Sequence, residues 1–218
     1  MQNKIKVCIA FLGNPFNDSR ITNLKNSLEQ DGCSVKVISF DWTTPNFKTI
    51  IGDISVFKLK KRKFSLLFYL LFASRLKLEL FKTKANIYFA EDLYTLPFVT
   101  FFAKIHGAKL YYNSRELYAF TGGLRNRNII QGMLKKLESF FIHKADLVLT
   151  TGEMDSEFIH KFYGINNSIV IRNIPLLQPP AQTIDLRKNL GIDESSKILI
   201  YQGVLLEGRG LPLIIKSL

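Results

Sequence analysis

IKVCIAFLGNPFNDS, residues 5–19, decides the fold. Its first eight residues form an almost unbroken apolar run, the pattern of a strand buried on both faces and hence of a parallel sheet. GNPFNDS (13–19) then supplies turn residues, and Ile21, Leu24 and Leu28 follow at helical spacing. Asp18 stands where a helix cap is expected, and Asp31-Gly32 ends the helix. Strand, turn and helix in this order make the first half of a βαβ unit.

The alternation continues along the chain. VKVISF (35–40), ISVFKL (54–59), NIYFA (86–90), KLYYNS (109–114), LVLTT (147–151) and SIVIRN (168–173) read as strands. Helices are expected from Phe64 to about Phe81, from Leu93 to Ile105, from about 128 to 143 and over 153–163. The fold class is therefore α/β, a Rossmann-like doubly wound parallel sheet. Such sheets bind ligands beyond the carboxyl ends of their strands, so functional residues belong in the loops that follow strands.

IPLLQPPAQ (174–182) breaks the pattern with three prolines and marks a domain boundary near residue 178. A helix, TIDLRKNLG (183–191), a strand, KILIYQG (197–203), and a glycine-punctuated loop opening another helix at Gly210 come after it. Residues 183–218 thus read as the beginning of a second, incomplete Rossmann-like domain, since about 36 residues bury no core of their own.

Composition narrows the function classes. Of 218 residues, 47% are hydrophobic and 22% charged, which suits a globular chain and not a disordered one. Cys8 and Cys33 form neither a disulfide framework nor a CxxC pair, and His106, His143 and His160 match no metal-ligand spacing. No metal is expected. The N-terminus shows no signal-peptide pattern, so a cytoplasmic location is expected. The net charge is +12, and residues 58–84 hold nine Lys or Arg against one Glu, so that segment carries +8 and the rest +4. Its apolar stretch LLFYLLFA (66–73) is far short of the roughly 20 residues of a membrane span. Two readings stay open. One is a buried helix with a basic flank. The other is a helix dipping into an anionic membrane surface, with Lys58, Lys60, Lys61, Arg62 and Lys63 at the headgroups. Nucleic acid is not an expected partner, because zinc-finger, RRM and helix-turn-helix patterns are all missing. No GxGxxG follows the first strand, which argues against a nicotinamide cofactor.

Two loops hold candidate site residues. In YQGVLLEGRG (201–210), Gly203, Gly210 and the forked cation of Arg209 have the makings of a phosphate site at a helix start. A plain Gly-rich turn is the alternative. In NSRELY (113–118), Asn113, Arg115 and Glu116 follow a buried strand and point to the cleft; Glu116 either meets a ligand hydroxyl or pairs with Arg115. Asp18 and Arg20, at the first helix, read as a cap and an ion pair, or as a contact to an anion.

Several stretches together resemble retaining GT-B glycosyltransferases of family 4. FNDSRITNLKNSLEQDGCSVKVISF (16–40) resembles that family's first loop, helix and second strand. GAKLYYNSRELY (107–118) resembles its acceptor-side strand and loop, and LESFFIHKADLVLTTGE (137–153) its "E…AD.V.T" helix–strand pair. SIVIRNIP (168–175) resembles its inter-domain entry, and YQGVLLEGRGL (201–211) the opening of its donor domain. The resemblance implies two Rossmann-like domains across a cleft. Residues 1–178 would be the acceptor-binding domain, and 183–218 the start of the nucleotide-sugar-binding domain.

The resemblance also implies roles. Arg209 matches the basic residue that holds the donor diphosphate, and Gly13 lies close to it. The resemblance implies a glycan or lipid-linked acceptor as partner, as in bacterial surface polysaccharide synthesis. Glu116, in a loop where many family members carry a histidine, is the candidate catalytic group on the reading of the loop itself. No cofactor is expected. Two departures matter. Val204 stands where the family often has a further basic residue, and the paired glutamates that hold the donor fall beyond residue 218. The NSRELY loop has no histidine, but same-face transfer guided by the donor phosphate does not require a strong protein base. The chain is thus expected to be a fragment, inactive alone. Alternatives are a non-catalytic acceptor- or membrane-binding module that needs a partner chain, and a GT-B sugar-nucleotide epimerase.

Overall fold

The computed structural model describes residues 4–42, 49–60, 65–121, 124, 126–174, 185–203, 205 and 210–217. The chain divides into two units, Met1–Leu176 and Leu177–Leu218. The first unit is built on one eight-stranded sheet. In chain order its elements are β1 (Lys6–Phe11), α1 (Ser19–Gln30), β2 (Ser34–Asp41), β3 (Thr49–Ile51), β4 (Ile54–Lys58), α2 (Ser65–Lys82), β5 (Ile87–Ala90), α3 (Leu96–Ile105), β6 (Lys109–Ser114), α4 (Asn128–Ile142), β7 (Leu147–Thr150), α5 (Glu153–Tyr163) and β8 (Ser168–Val170).

The strand order is β3-β4-β2-β1-β5-β6-β7-β8, parallel throughout except for β3 against β4. The chain winds outward from β1 through β2 and β4, then crosses back by α2 to lay β5 on the other side of β1. The order reverses between β1 and β5. A crevice must open there at the carboxyl ends, because the loops leaving the two strands run in opposite directions.

The apolar run of β1 is explained by burial on both faces. Val7 and Ile9 join Val35, Val37 and Ile21 of α1 on one face. Cys8 and Ala10 join Ile38, Phe40 and the α2 residues Phe72, Leu76 and Leu80 on the other. Alternate side chains of a strand point to opposite faces, so a strand with both faces covered shows no polar alternation.

Three expectations need correction. The helix expected from Leu93 begins at Leu96, because the Asp92 carboxylate accepts the Thr95 N–H and holds 93–95 in a turn. SIVIRN is a strand only over Ser168–Val170, because its neighbour β7 ends at Thr150. KILIYQG (197–203) is not a strand. The described part of the second unit offers no neighbouring strand to pair its backbone, and holds two short helices, α6 (Leu186–Leu190) and α7 (Leu211–Lys216). The edge strand β3 had no clear signal.

The E and D of LESFFIHKADLVLTTGE acquire structural reasons. Glu138 is buried and accepts the hydroxyls of Tyr112 and Tyr163, both at 2.7 Å, tying β6 and α5 to α4. Burial pushes its carboxyl above the usual range, opposed by the two tyrosine hydrogen bonds. Asp146 accepts the Leu110 N–H and the Lys109 ammonium, which sets the start of β7 against β6.

Candidate functional site

The crevice at the switch point is a cleft of about 400 Å³ above the carboxyl ends of β1, β5 and β6. Phe11, Leu12, Asp18, Arg20, Asp92, Tyr94, Arg115, Glu116 and Tyr118 are among its walls. Phe11 ends β1, and each of the others comes from a loop that follows a strand or from the first turn of α1.

Arg115 organises the cleft. Its Nε and Nη2 both reach Glu91 Oε2, at 3.0 and 2.6 Å, and its Nη1 reaches Asp18 Oδ2 at 2.6 Å. The guanidinium also lies 4.6 Å from the centre of the Phe11 ring. Glu91 and Asp18 together hold Arg115 firmly protonated against the opposing effect of burial. Asp18 does two jobs at once. Its Oδ1 caps α1 by accepting the N–H groups of Arg20 and Ile21, while its Oδ2 takes Arg115.

Glu91 and Asp92 sit directly after β5, and both are buried. Glu91 Oε2 accepts from Arg115 and from Asn113 Nδ2, while its Oε1 has no partner among the described residues. Burial pushes the Glu91 carboxyl upward, and Arg115 and Asn113 oppose this. Asp92 accepts the Leu12 N–H at 2.7 Å and the Thr95 N–H at 2.7 Å, pinning the loop after β1 to the start of α3. Burial raises its carboxyl too, against those backbone bonds.

Gly13 follows directly. A Cβ there would lie 2.3 Å from Phe11 Cζ, so the missing side chain makes room for the ring that supports Arg115. Asn113 lies behind the cleft on Glu91 rather than in its wall. Glu116 lines the cleft, is exposed, and is not the partner of Arg115, whose ion pairs go to Glu91 and Asp18. Arg20 lines the cleft and makes no ion pair among the described residues. The cap expected of Asp18 is present, while the ion pair beside it is made by Arg115 and not by Arg20. The aromatic wall is Tyr94 and Tyr118, with ring centres 6.1 Å apart, and burial pushes the Tyr94 hydroxyl up to about 12.

The other candidates belong to the second unit or to other parts of the first, or lie outside the described residues. In the second unit Gly203 lies in a bend, and Gly210 caps the six-residue α7 with φ 74°, a left-handed conformation that favours glycine. Arg209 lies outside the described residues, as do Lys61, Arg62 and Lys63. Lys58 ends β4, and Lys60 is exposed. His106 and His143 cap the ends of α3 and α4, and His160 bonds Ser168. Glu91 and Asp92 were missed by sequence reasoning. Their signal was available: two acids in the first positions after a fully apolar strand.

The sequence profile of Glycosyltransferase Family 4 matches residues 19–174, more than half of the chain. The chain belongs to this glycosyltransferase family. Solved structures similar to it share the GT-B fold. Sucrose-phosphate synthase from Thermosynechococcus elongatus is 12% identical with a TM-score of 0.62, covering 87% of this chain and 53% of its own. The lipopolysaccharide outer core galactosyltransferase WaaB is 16% identical with a TM-score of 0.54, covering 82% and 49%. A UDP-N-acetylglucosamine 2-epimerase of Listeria monocytogenes, so assigned provisionally, is 13% identical with a TM-score of 0.56, covering 78% and 45%. The family 4 chain thus spans about half the length of these proteins. No curated relative matches its sequence.

Proposed function

We propose that the native protein transfers a sugar from a nucleotide-sugar donor to a glycan or lipid-linked acceptor with retention of configuration, and that the cleft takes the acceptor. One observation carries this reading. Asp18, Asp92 and Glu116 line the cleft and Glu91 is buried behind it; three of these four carboxylates are already committed. Asp18 holds Arg115 and α1, Glu91 holds Arg115 and Asn113, and Asp92 holds the Leu12 and Thr95 N–H groups. Glu116 is exposed, lines the cleft and has no ion pair among the described residues. It is the carboxylate left to accept a hydrogen bond from an acceptor hydroxyl.

The division of labour follows from the chemistry. In same-face transfer the leaving diphosphate oxygen takes the acceptor's proton, so the protein's main task is to hold the hydroxyl in place. Glu116 orients that hydroxyl, Tyr94 and Tyr118 supply apolar ring faces for the sugar, and Arg20 is the cation available to an anionic group. The Asp18–Arg115–Glu91 network keeps the wall rigid. By family resemblance, Gly203, Arg209 and Gly210 of the second unit serve the donor diphosphate. Likeness to a lipopolysaccharide galactosyltransferase supports a surface polysaccharide as the product.

Incubating the native gene product with sugar-labelled nucleotide-sugars, with and without acceptor extract, tests the reading. Label should move to the acceptor with its anomeric configuration kept. A sugar altered while still on its nucleotide, in the absence of acceptor, would sink the proposal in favour of epimerisation.

A further inference from the structure

The outer faces of α2, α3 and α4 carry large apolar side chains that the fold leaves in solvent. Leu66 and Phe81 on α2 are each 72% exposed, Phe101 on α3 is 59%, and Ile129 and Met133 on α4 are 81% and 66%. The helices are neighbours in one layer over one sheet face, α2 against α3 and α3 against α4. Their outward side chains therefore share one surface. Single exposed apolar residues are ordinary, but a set of this size on adjacent helices marks a docking face.

Charge identifies what docks. The three helices contain two carboxylates, Glu79 and Glu138, and both are buried. Glu79 pairs with Arg75, and Glu138 is held by two tyrosines. Six cations, Arg75, Lys77, Lys82, Lys104, Lys135 and Lys136, lie on the same helices. The surface is thus apolar and cationic, with no exposed carboxylate on these helices. A second copy would set like charges against each other. An anionic bilayer offers opposite charge at the headgroups and hydrocarbon beneath them.

We propose that the joint outer face of α2, α3 and α4 docks on an anionic lipid bilayer. This is interfacial binding; no helix among the described residues is long and apolar enough to cross a membrane. One edge of the face reaches the cleft. Tyr69 of α2 stacks on Tyr94, with ring centres 5.5 Å apart and planes 22° apart, and Tyr94 is a cleft wall. Docking therefore sets that wall beside the headgroups. The docking stands on the surface alone; only its use, presenting the cleft to a lipid-linked acceptor, rests on the transferase reading.

Co-sedimentation of the 218-residue chain with vesicles tests the docking. Binding to vesicles of equal parts phosphatidylglycerol and phosphatidylcholine should exceed binding to phosphatidylcholine alone by at least about tenfold, and weaken as salt rises. Phe101→Glu/Met133→Glu should lower it by about tenfold or more, with an unchanged far-UV circular dichroism spectrum. Lys104→Glu/Lys136→Glu, which leaves the apolar residues in place, should lower it as well. Failure of the wild type to bind, or equal binding by both variants, overturns the proposal. So does a wild-type dimer that Phe101→Glu/Met133→Glu breaks without changing vesicle binding, since a second copy would then be the occupant. None of these failures touches the transferase reading, which transfer to a water-soluble acceptor tests separately.

Discussion

Replacing Arg115 with methionine should strip Glu91 of its charge partner while leaving it inside the protein. Glu91 is fully buried, and Arg115 gives it two hydrogen bonds at 3.0 and 2.6 Å. Breaking one side of a buried pair costs about 3–5 kcal/mol, because the remaining charge stays desolvated. Replacing both partners by apolar residues removes that penalty, so Arg115→Met/Glu91→Leu should lie within about 1 kcal/mol of wild type. Asp18 is partly exposed and can rehydrate. The single tryptophan, Trp42, packs against the core of the first unit, and its fluorescence during urea unfolding reports that unit. The pH dependence gives a second check. Burial already raises the Glu91 carboxyl, and losing Arg115 raises it further. A carboxyl with a folded-state pKa above its unfolded value favours folding below the unfolded pKa and loses that contribution as pH rises through the folded one. Arg115→Met should therefore be more damaging at pH 8 than at pH 5. A cost under about 1 kcal/mol, or a double variant as unstable as the sum of the singles, would refute the reasoning.

Three further outcomes follow from the same geometry. Gly13→Ala pushes against the Phe11 ring and should destabilise the first unit by about 1–3 kcal/mol, read by the same unfolding curve, with added loss of acceptor binding as Arg115 shifts. Glu138→Ala leaves two buried tyrosine hydroxyls without their acceptor and should cost about 2–4 kcal/mol, whereas Glu138→Gln retains polar partners for both and should cost under about 1. Because burial raises the Glu138 carboxyl, the wild type should lose this contribution as pH climbs from the unfolded value near 4.5, and the slope should flatten in Glu138→Gln. Arg20→Ala should leave stability within about 0.5 kcal/mol, since the side chain has no ion partner among the described residues, while weakening binding of any anionic acceptor group in a titration.

The sheet was legible because buried parallel strands have a plain signature. KLYYNS became β6 over the expected residues, and the helix expected at 153–163 became α5 without change. What failed depended on strand pairing, which no local signal encodes. β3 is three residues long and exists by pairing with β4. KILIYQG has every propensity of a strand, but propensity does not supply a pairing partner. The site was half legible. The loop positions of Arg115 and Glu116 could be placed from the strand before them. The choice of partner for Arg115 could not, because Asp18 and Glu91 lie 97 and 24 residues away and meet it only through the sheet. Asp18 showed its capping role and concealed its second one.

The most direct test of the acceptor-side assignment is a pair of initial-rate titrations on Glu116→Gln in the native gene product, one varying acceptor and one varying donor. Glu116 is exposed, so the variant should fold as wild type. The expected result is a transfer rate at limiting acceptor lowered by about tenfold or more, with the donor KM within about twofold of wild type. An unchanged rate, or a donor KM that moves while acceptor dependence stays put, would contradict the assignment of this cleft to the acceptor.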